Sequence, residues 1–397
     1  MYDLVVRNAR LHDLGHGLAP SPALASCSAF AVRDGRIAEF DPPADAPTRE
    51  TLDARGACVL PGFIDCHTHA LYAGDRMAEH AERLRGASYA EIAARGGGIR
   101  TTVAAVRAAS EADLVEQTLP RLAALLAEGV TTVEIKSGYG LDLATELKQL
   151  RAIAALRART RMGIEPTFLG LHALPAGADR AGFVAAVVDG WLPEVAALGL
   201  ARTVDVYVEH LAFELADLER LAAAAARHRL NLRTHTDQLS NLGGTRRAAA
   251  LGALSCDHLE HSDAADVAAL ANHGTVAVLL PFAWYFLRDT RLPPVAALRA
   301  ARVPMAVATD LNPGTSPCAS LLTALHMATV SFGLTAEEAL LGATREAARA
   351  LGLADRGTLG LGLRADFNLW AVPAPEFLVY QAGGHRPVAT YIEGRPA

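Results

Sequence analysis

The sequence predicts an α/β fold whose central unit is a (β/α)8 barrel. Between about residues 60 and 345, eight short apolar runs have the length and composition of buried strands. Most of them are separated by Ala- and Leu-rich stretches with helical spacing. Strands that alternate with helices in this way form parallel βα units, and eight such units close a barrel. An open, doubly wound sheet with fewer true strands is the alternative.

The two ends of the chain are different in character. The segment "YDLVVRNARL" at 2–11 is a strand candidate, and "AFAVRDGRIAEF" at 29–40 has two apolar runs about an Arg-Asp-Gly turn, which predicts a hairpin. Near the other end, "GTLGLGLRADFNLWAV" and "RPVATYIEGRPA" show the same strand and turn pattern. We therefore expect β structure in residues 1–60 and 351–397, on either side of a barrel at 61–350.

The predicted barrel strands are, in chain order, "FIDCHTH", "GVTTVEIKSG", "GIEPTFLGLH", "TVDVYVEH", "LNLRTH", "GALSCDH", "GTVAVLLP" and "VPMAVATD". Two of the stretches between them, "ATELKQLRAIAALRAR" and "LADLERLAAAAARHR", illustrate the helical spacing.

Composition narrows the class of protein. The 397 residues are 51% hydrophobic and 20% charged, which is typical of a globular chain with a large core, and the net charge of −6 is scattered, which argues against a nucleic-acid partner. The five cysteines are well separated and lack a C-x-x-C pair, which indicates a reducing compartment. The N-terminus carries charges too early for a signal peptide, and the longest apolar run, 275–287, is shorter than the roughly 18 residues of a membrane span. A cytoplasmic protein without a membrane partner is predicted.

Polar side chains gather where the predicted strands end. In a barrel the carboxyl ends of the strands carry the active site, so their residue types indicate the chemistry. In the segment "PGFIDCHTHALYAGDR", His67 and His69 are two positions apart and should share one face of the first strand. The later strands end in Lys136, His172, Glu209, His210, His235, Gln238, His258, Asp310 and Asn312. So many histidines at strand ends predict a metal site.

Four of these residues form a plausible ligand set. His67, His69, His235 and Asp310 would offer three imidazoles and a carboxylate, which suits Zn²⁺ or Fe and leaves a position for water. A metal lowers the pKa of such a water toward neutrality and supplies a nucleophile. Taken singly, each residue also has a structural interpretation: His235 as a cap at a strand end, Asp310 as a helix cap or Asx turn before Pro313.

The motifs resemble those of a known superfamily. "PGFIDCHTH" and "ATDLNPGTSP" resemble the metal motifs of the amidohydrolases. Together with "CHTHALYAGDR", "YAEIAARGGGI", "EGVTTVEIKSGYGL", "TFLGLHALP", "HTDQLSNLGG", "DHLEH" and "TVAVLLPFAWYFLR" they resemble the imidazolonepropionase family over essentially the whole chain. The resemblance implies a TIM-like barrel with a small composite β-sandwich domain built from both chain ends, and a homodimer. It also implies hydrolysis of the cyclic amide of 4-imidazolone-5-propanoate to N-formimidoyl-L-glutamate in histidine degradation.

The resemblance also implies roles for individual residues. His67, His69, His235 and Asp310 would hold one Zn²⁺ or Fe ion, and Asp310, His258 and Gln238 would form the catalytic group. Substrate contacts are implied for Arg76, Tyr139, His172, Gln238, Asn312, Gly314 and Thr315. Because the substrate is an anion, Arg76 is suited to bind its carboxylate. One departure is Thr236, where the family usually has Ala after the ligand histidine; we expect its side chain to face away from the metal.

Other interpretations remain open. A mononuclear amidohydrolase that deaminates a cytosine-like or guanine-like base would share the ligand set, although a neutral base leaves no use for Arg76. A catalytically inactive scaffold is the non-enzyme alternative, although such proteins typically lose metal ligands. Lys136 could be a carbamylated bridge between two metals, as in binuclear members of the superfamily that it resembles. Those relatives carry the lysine on the fourth strand, whereas Lys136 lies on the second, so a structural or electrostatic role is favoured. Glu209, His210, Glu260 and His261 either surround the site or are solvated.

Overall fold

The eight predicted strands form one parallel sheet in the computed structural model, which describes residues 1–15, 17–22, 24–87, 91–92 and 95–397. Spatial order follows chain order from the first barrel strand to the eighth: Phe63–Asp65, Val130–Lys136, Gly163–Leu171, Thr203–Val208, Asn231–Thr236, Ser255–His258, Val276–Leu279 and Met305–Val307. A parallel bridge between Thr68 and Leu311 joins the two outer segments just beyond their strands. The backbone N–H of Asp310 also donates to the carbonyl of His67 at 3.0 Å. The sheet therefore closes, and the predicted barrel is confirmed over an open sheet.

Helices surround this barrel and follow most of its strands. They span Met77–Leu84, Ile99–Ala108, Glu111–Leu126, Leu143–Leu156, Arg180–Ala185, Leu192–Leu198, Leu215–Arg227, Gly244–Ala250, Ala264–His273, Pro281–Leu287, Val295–Ala300, Leu321–Phe332, Ala336–Gly342, Arg345–Ala350 and Phe377–Tyr380, with a π-helical segment at Ala186–Trp191. Side-chain caps fix several starts: the Asp142 carboxylate accepts from the N–H of Thr145 at 2.8 Å, at the beginning of one of the predicted helices.

The chain ends build two further sheets. The first has four strands, Tyr2–Arg7, Phe30–Arg33, Arg36–Phe40 and Thr48–Asp53; the second has five, Arg10–Leu11, Cys58–Pro61, Phe367–Trp370, Ala389–Ile392 and Arg395–Pro396. The predicted hairpin is present, with Asp34 and Gly35 at positive φ in its turn. Phe30 of the first sheet packs edge-on against Phe367 of the second, with ring centroids 5.1 Å apart.

These two sheets form the composite sandwich that the resemblance implied. Cys58–Pro61 pairs antiparallel with Phe367–Trp370, so strands from both ends of the chain share one sheet. One apolar cluster, which includes Leu4, Val32 and Leu369, fills the space between the sheets. The predicted limits at 60 and 350 stay a prediction, and the first of them falls inside Cys58–Pro61.

One helical run, Arg180–Leu198, is long and apolar enough by length and composition to cross a bilayer. A single helix of this kind is weak evidence for a membrane span, and Val187, Leu192 and Val195 within it are buried in the main apolar cluster. The five cysteines carry free thiols, as their spacing predicted.

Candidate active site

Three histidines meet at the carboxyl end of the barrel. His67 and His69 follow the first strand, and His235 lies at the end of the fifth. Their ligand nitrogens all lie within 4.8 Å of one another, and all three side chains are buried. The first strand ends at Asp65, earlier than predicted, but the i, i+2 spacing still places the rings of His67 and His69 together, with centroids 5.4 Å apart.

Asp310 adjoins two of these imidazoles. It lies three residues beyond the eighth strand, with a φ of 52°, a backbone conformation that Asp and Asn tolerate better than most residues. Its Oδ1 is 3.4 Å from Nε2 of His67 and 3.6 Å from Nε2 of His69. The compact group is therefore the three histidines, with the carboxylate beside two of them.

These donors fit a metal ion. Nε2 of His235 lies 3.3 Å from Nε2 of His69, and Nε2 of His67 is buried with no hydrogen-bond partner among the described residues. Burial lowers the pKa values of His67 and His69 well below the usual range, which keeps both rings neutral. Neutral imidazoles whose lone pairs converge beside a carboxylate are what Zn²⁺ or Fe binds.

Two buried carboxylates orient the imidazoles from behind. Asp257 Oδ2 lies 2.6 Å from Nδ1 of His67, and Asp205 Oδ1 lies 3.1 Å from Nδ1 of His235. Each carboxylate accepts a hydrogen bond from Nδ1–H, which leaves the Nε2 lone pair directed toward the cluster. Sequence reasoning did not single out either aspartate. The available signal was a carboxylate inside an apolar strand, as in "TVDVYV".

Two buried cations neutralise these carboxylates. Nζ of Lys136 lies 2.8 Å from Asp205 Oδ2 and 2.8 Å from Glu134 Oε1. Arg233 reaches Asp257 Oδ2 at 2.8 Å and Glu134 Oε1 at 2.9 Å. All five side chains are fully buried. Burial acts to lower the pKa of Lys136, but its carboxylate partners raise that pKa above the usual value. This network favours an electrostatic role for Lys136, as the sequence indicated.

A cavity of about 590 Å³ opens above the histidine cluster. This volume is in the range of small-molecule sites. The cavity brings together the following sequence-predicted residues: His69, Arg76, Tyr139, His172, Gln238, His235, His258, Asp310, Asn312, Gly314 and Thr315. His67, the remaining predicted ligand, is fully buried beside the cavity. Sequence reasoning missed several other wall residues, among them Tyr207, Leu239 and Asp289.

The loop that carries Tyr139 is fixed from behind. The Glu146 carboxylate accepts from the backbone N–H groups of Gly138 at 2.9 Å and Gly140 at 2.7 Å. Gly138 has a φ of 112°, where a side chain would be strained, and its carbonyl lies 3.0 Å from His172 Nδ1. Burial also lowers the pKa of His172 to about 4, so this ring is a neutral hydrogen-bonding group. Tyr139 and His172 are thus held together, with ring centroids 5.4 Å apart.

The segment "ATDLNPGTSP" is shaped by Asn312. Asn312 Oδ1 accepts from the N–H groups of Gly314 at 2.8 Å and Thr315 at 2.7 Å, while Nδ2 donates to the carbonyl of Asp310 at 2.7 Å. The side-chain hydrogen bonds of the Asx turn that the sequence suggested for Asp310 are therefore made by Asn312. The Asp310 carboxylate stays available to the cluster, although burial raises its pKa well above the usual range.

Gln238 and His258 also line the cavity. Tyr207 Oη donates to Gln238 Oε1 at 2.8 Å, which fixes the amide. His258 has a φ of 88°, unusual for a residue with a side chain, and such strain is concentrated at functional sites. Its Nδ1 lies 4.0 Å from Glu260 Oε2, and both atoms are buried without a hydrogen-bond partner among the described residues.

The other polar strand-end residues divide into two groups. Glu209 is buried and accepts from the N–H of Leu239 at 2.8 Å, while His261 lines the cavity. The side chain of His210 is 51% exposed.

Thr236 faces the helix Gly244–Ala250, where its Oγ1 lies 2.8 Å from the hydroxyl of Thr245, on the side away from the cluster.

Comparison with known proteins agrees with this picture. A model of the amidohydrolase family matches residues 58–397. An imidazolonepropionase of Xanthomonas campestris pv. campestris (strain 8004) is 51% identical over 401 residues, which covers 99% of each chain. Another, of Caulobacter vibrioides (strain NA1000 / CB15N), is 54% identical over 387 residues, which covers 96% of each. A solved structure of 5-methylcytosine deaminase from Klebsiella pneumoniae liganded with 5-fluorocytosine matches with a TM-score of 0.74 at 18% identity, over 99% of this chain and 96% of that one. That structural likeness shows the fold alone.

Proposed function

Because the chain belongs to the amidohydrolase family and, within it, to the imidazolonepropionases, we propose that it hydrolyses the cyclic amide of 4-imidazolone-5-propanoate to N-formimidoyl-L-glutamate, a step of histidine degradation. One observation carries the proposal: a single cavity contains both the histidine–aspartate cluster and the Arg76 guanidinium. The first supports hydrolysis, and the second supports recognition of an anion.

The proposed cofactor is one Zn²⁺ or Fe ion, held by His67, His69, His235 and Asp310. Such an ion, when bound, would lower the pKa of a bound water and polarise the amide carbonyl. Two observations support this assignment: Nε2 of His67 has no hydrogen-bond partner among the described residues, and burial lowers the pKa values of His67 and His69. Nitrogen and carboxylate donors suit either metal, so metal analysis of the purified protein has to distinguish them.

Substrate binding would use the rest of the cavity wall. Arg76, with only 9% of its side chain exposed, would bind the propanoate carboxylate through charge-assisted hydrogen bonds. Tyr139, His172 and Gln238, which line the cavity, would contact the polar edge of the ring. The backbone at Gly314 and Thr315 would line the end of the cavity where the substrate carboxylate binds.

Proton transfer would be carried by two residues. The Asp310 carboxylate would accept a proton from the attacking water and deliver it to the ring nitrogen that leaves as the C–N bond breaks. His258 would donate a hydrogen bond to the carbonyl oxygen, where negative charge develops. Gln238, fixed by Tyr207, would orient the ring for attack.

The test measures the loss of the imidazolone chromophore over time, with metal-replete protein and with chelator-treated protein. We expect turnover by the replete protein, loss of turnover after chelation, and recovery with one equivalent of Zn²⁺ or Fe. Ammonia release from a cytosine-like or guanine-like base, without turnover of the imidazolone, would instead support a deaminase. A protein that neither holds nor regains metal would support an inactive scaffold.

Replacing Arg76 by Ala should raise KM about 10- to 100-fold while kcat changes little. The reason is that charge-assisted hydrogen bonds to the substrate carboxylate contribute roughly 1.5–3 kcal/mol of binding in both ground and transition states. Steady-state kinetics measure the effect. Arg95→Ala is the matched control, since Arg95 is exposed and pairs with Glu82. An unchanged KM in Arg76→Ala would contradict the carboxylate grip.

The setting of the enzyme is also a proposal. We infer a cytoplasmic homodimer that acts on a small molecule, without nucleic-acid or membrane partners. The free thiols support a reducing compartment, and the scattered net charge of −6 supports the absence of a nucleic-acid partner; the homodimer rests on the family resemblance. Light scattering of the purified chain tests the dimer, and a monomer mass would refute it.

A further inference from the structure

Arg76 is held along one edge of its guanidinium by Glu79. Glu79 Oε2 lies 2.6 Å from Nε and 2.5 Å from Nη2 of Arg76. The third nitrogen, Nη1, is directed elsewhere, 3.5 Å from the Thr102 hydroxyl. Side-chain exposure is only 15% for Glu79 and 9% for Arg76, so the contact is well shielded from solvent.

The same carboxylate binds the start of the helix Ile99–Ala108. Both Glu79 oxygens lie 3.2 Å from the backbone N–H of Gly98, and Oε1 accepts from the Thr101 hydroxyl at 2.7 Å. Gly98 precedes the helix Ile99–Ala108, has a φ of 75° and supplies no side-chain cap. Glu79 supplies side-chain acceptors at this helix start, for the N–H of Gly98 and the hydroxyl of Thr101. It thereby joins the segment that carries Arg76 to a helix whose first residue lines the cavity.

This arrangement leaves one edge of the guanidinium for a ligand. Arginine has five N–H donors in a fixed plane, and Glu79 occupies those of the Nε–Nη2 edge. On the Nη1 side lies Gly314, where a Cβ would be 3.1 Å from Nη1. The absence of a side chain at Gly314 therefore leaves room beside Nη1.

We propose that Glu79 is a positioning residue that sets the selectivity for an anionic substrate chain. By fixing one edge of Arg76, it directs the Nη1 edge toward the carboxylate and reduces the rotamer freedom that binding must otherwise remove. The proposal rests on the proposed function, because it requires a carboxylate at the Arg76 end of the cavity. The negative charge of Glu79 lies on the opposite edge of the guanidinium, so we expect its orienting effect to outweigh its repulsion of the ligand.

The test measures binding of two unreactive ligands to the metal-loaded protein by calorimetry: 3-(imidazol-4-yl)propanoate and its propanamide. Glu79→Ala should weaken propanoate binding on the order of 10-fold and leave propanamide binding unchanged. Glu79→Gln, which keeps the shape and one acceptor oxygen, should give a smaller loss. Metal content should stay at the wild-type value. Glu82→Ala, on the same helix but paired with exposed Arg95, is the matched control and should have no effect.

The outcomes separate this inference from the proposed function. Arg76→Ala should lose propanoate affinity, and the double variant Arg76→Ala/Glu79→Ala should lose no more. That result would support the inference that Glu79 acts through Arg76. If Arg76→Ala weakens propanoate binding but Glu79→Ala does not, or improves it, the inference alone is overturned. Equal losses for propanoate and propanamide also overturn it, because they indicate a merely structural role. If Arg76→Ala changes nothing, the carboxylate grip of the proposed function fails as well.

Discussion

Replacing Asp310 by Asn is expected to lower kcat by about three orders of magnitude. The amide has the shape of the carboxylate but cannot accept a proton from water or pass one to the leaving nitrogen. The fold should persist, because Asn tolerates the left-handed backbone at φ 52° as well as Asp does. Single-turnover kinetics on protein of known metal content measure the effect.

Two further measurements test this interpretation of Asp310→Asn. Asp189→Asn, on the surface and paired with Arg220, is the matched control and should have wild-type kcat. If Asp310→Asn retains its metal and stays within tenfold of wild-type kcat, the proton-transfer role is wrong. If chelator competition shows that it has lost the metal instead, the main role of Asp310 is that of a ligand.

Replacing Lys136 by Met should weaken metal binding about 10- to 100-fold and reduce the free energy of unfolding by about 3–5 kcal/mol. The ammonium is fully buried between Asp205 and Glu134, so its loss removes the cation in contact with Asp205 and leaves Glu134 with the guanidinium of Arg233. Asp205 in turn holds Nδ1 of His235, and a carboxylate that protonates or moves releases that imidazole. Chelator competition and urea unfolding measure the two effects.

The chain provides its own control in Lys148, its other lysine. Lys148 donates to the backbone carbonyls of Val106 and Ala109, and it has no carboxylate partner among the described residues. Lys148→Met should therefore leave metal affinity unchanged. Wild-type metal affinity in Lys136→Met would show that the buried network does not control the ligands.

The fold and the centre of the site could be predicted because both depend on local patterns. Eight buried strands alternating with helices leave few arrangements of the backbone, and in a barrel the strand ends meet at one rim. The i, i+2 spacing of His67 and His69 then places both imidazoles on that rim. His235 and Asp310 follow from the same rule applied to the fifth and eighth strands, so four residues far apart in the chain could be grouped without coordinates.

The orienting network could not be predicted in the same way. Asp205, Asp257 and Arg233 lie at buried positions within barrel strands, where sequence alone does not say which side chains face one another inside the barrel. That depends on the register between strands, such as the pairing of His235 with Asp257, and on depth within a closed cylinder. The contacts of Glu79 could be predicted only in part. Its i, i+3 spacing from Arg76 is visible in the sequence, but its hydrogen bonds to Gly98 are not.

The sequence by itself therefore determined the barrel, the sandwich strands at both ends, the residue types at the strand ends and the motifs of the family. Only the tertiary structure decided which buried charges stand behind His67 and His235, which atoms of Arg76 remain for a ligand, and that Asn312 rather than Asp310 makes the turn. The physical reason is the range of the interactions. Periodicity and spacing are set by neighbours along the chain, whereas buried charges are stable only with partners that closure of the barrel brings from other strands.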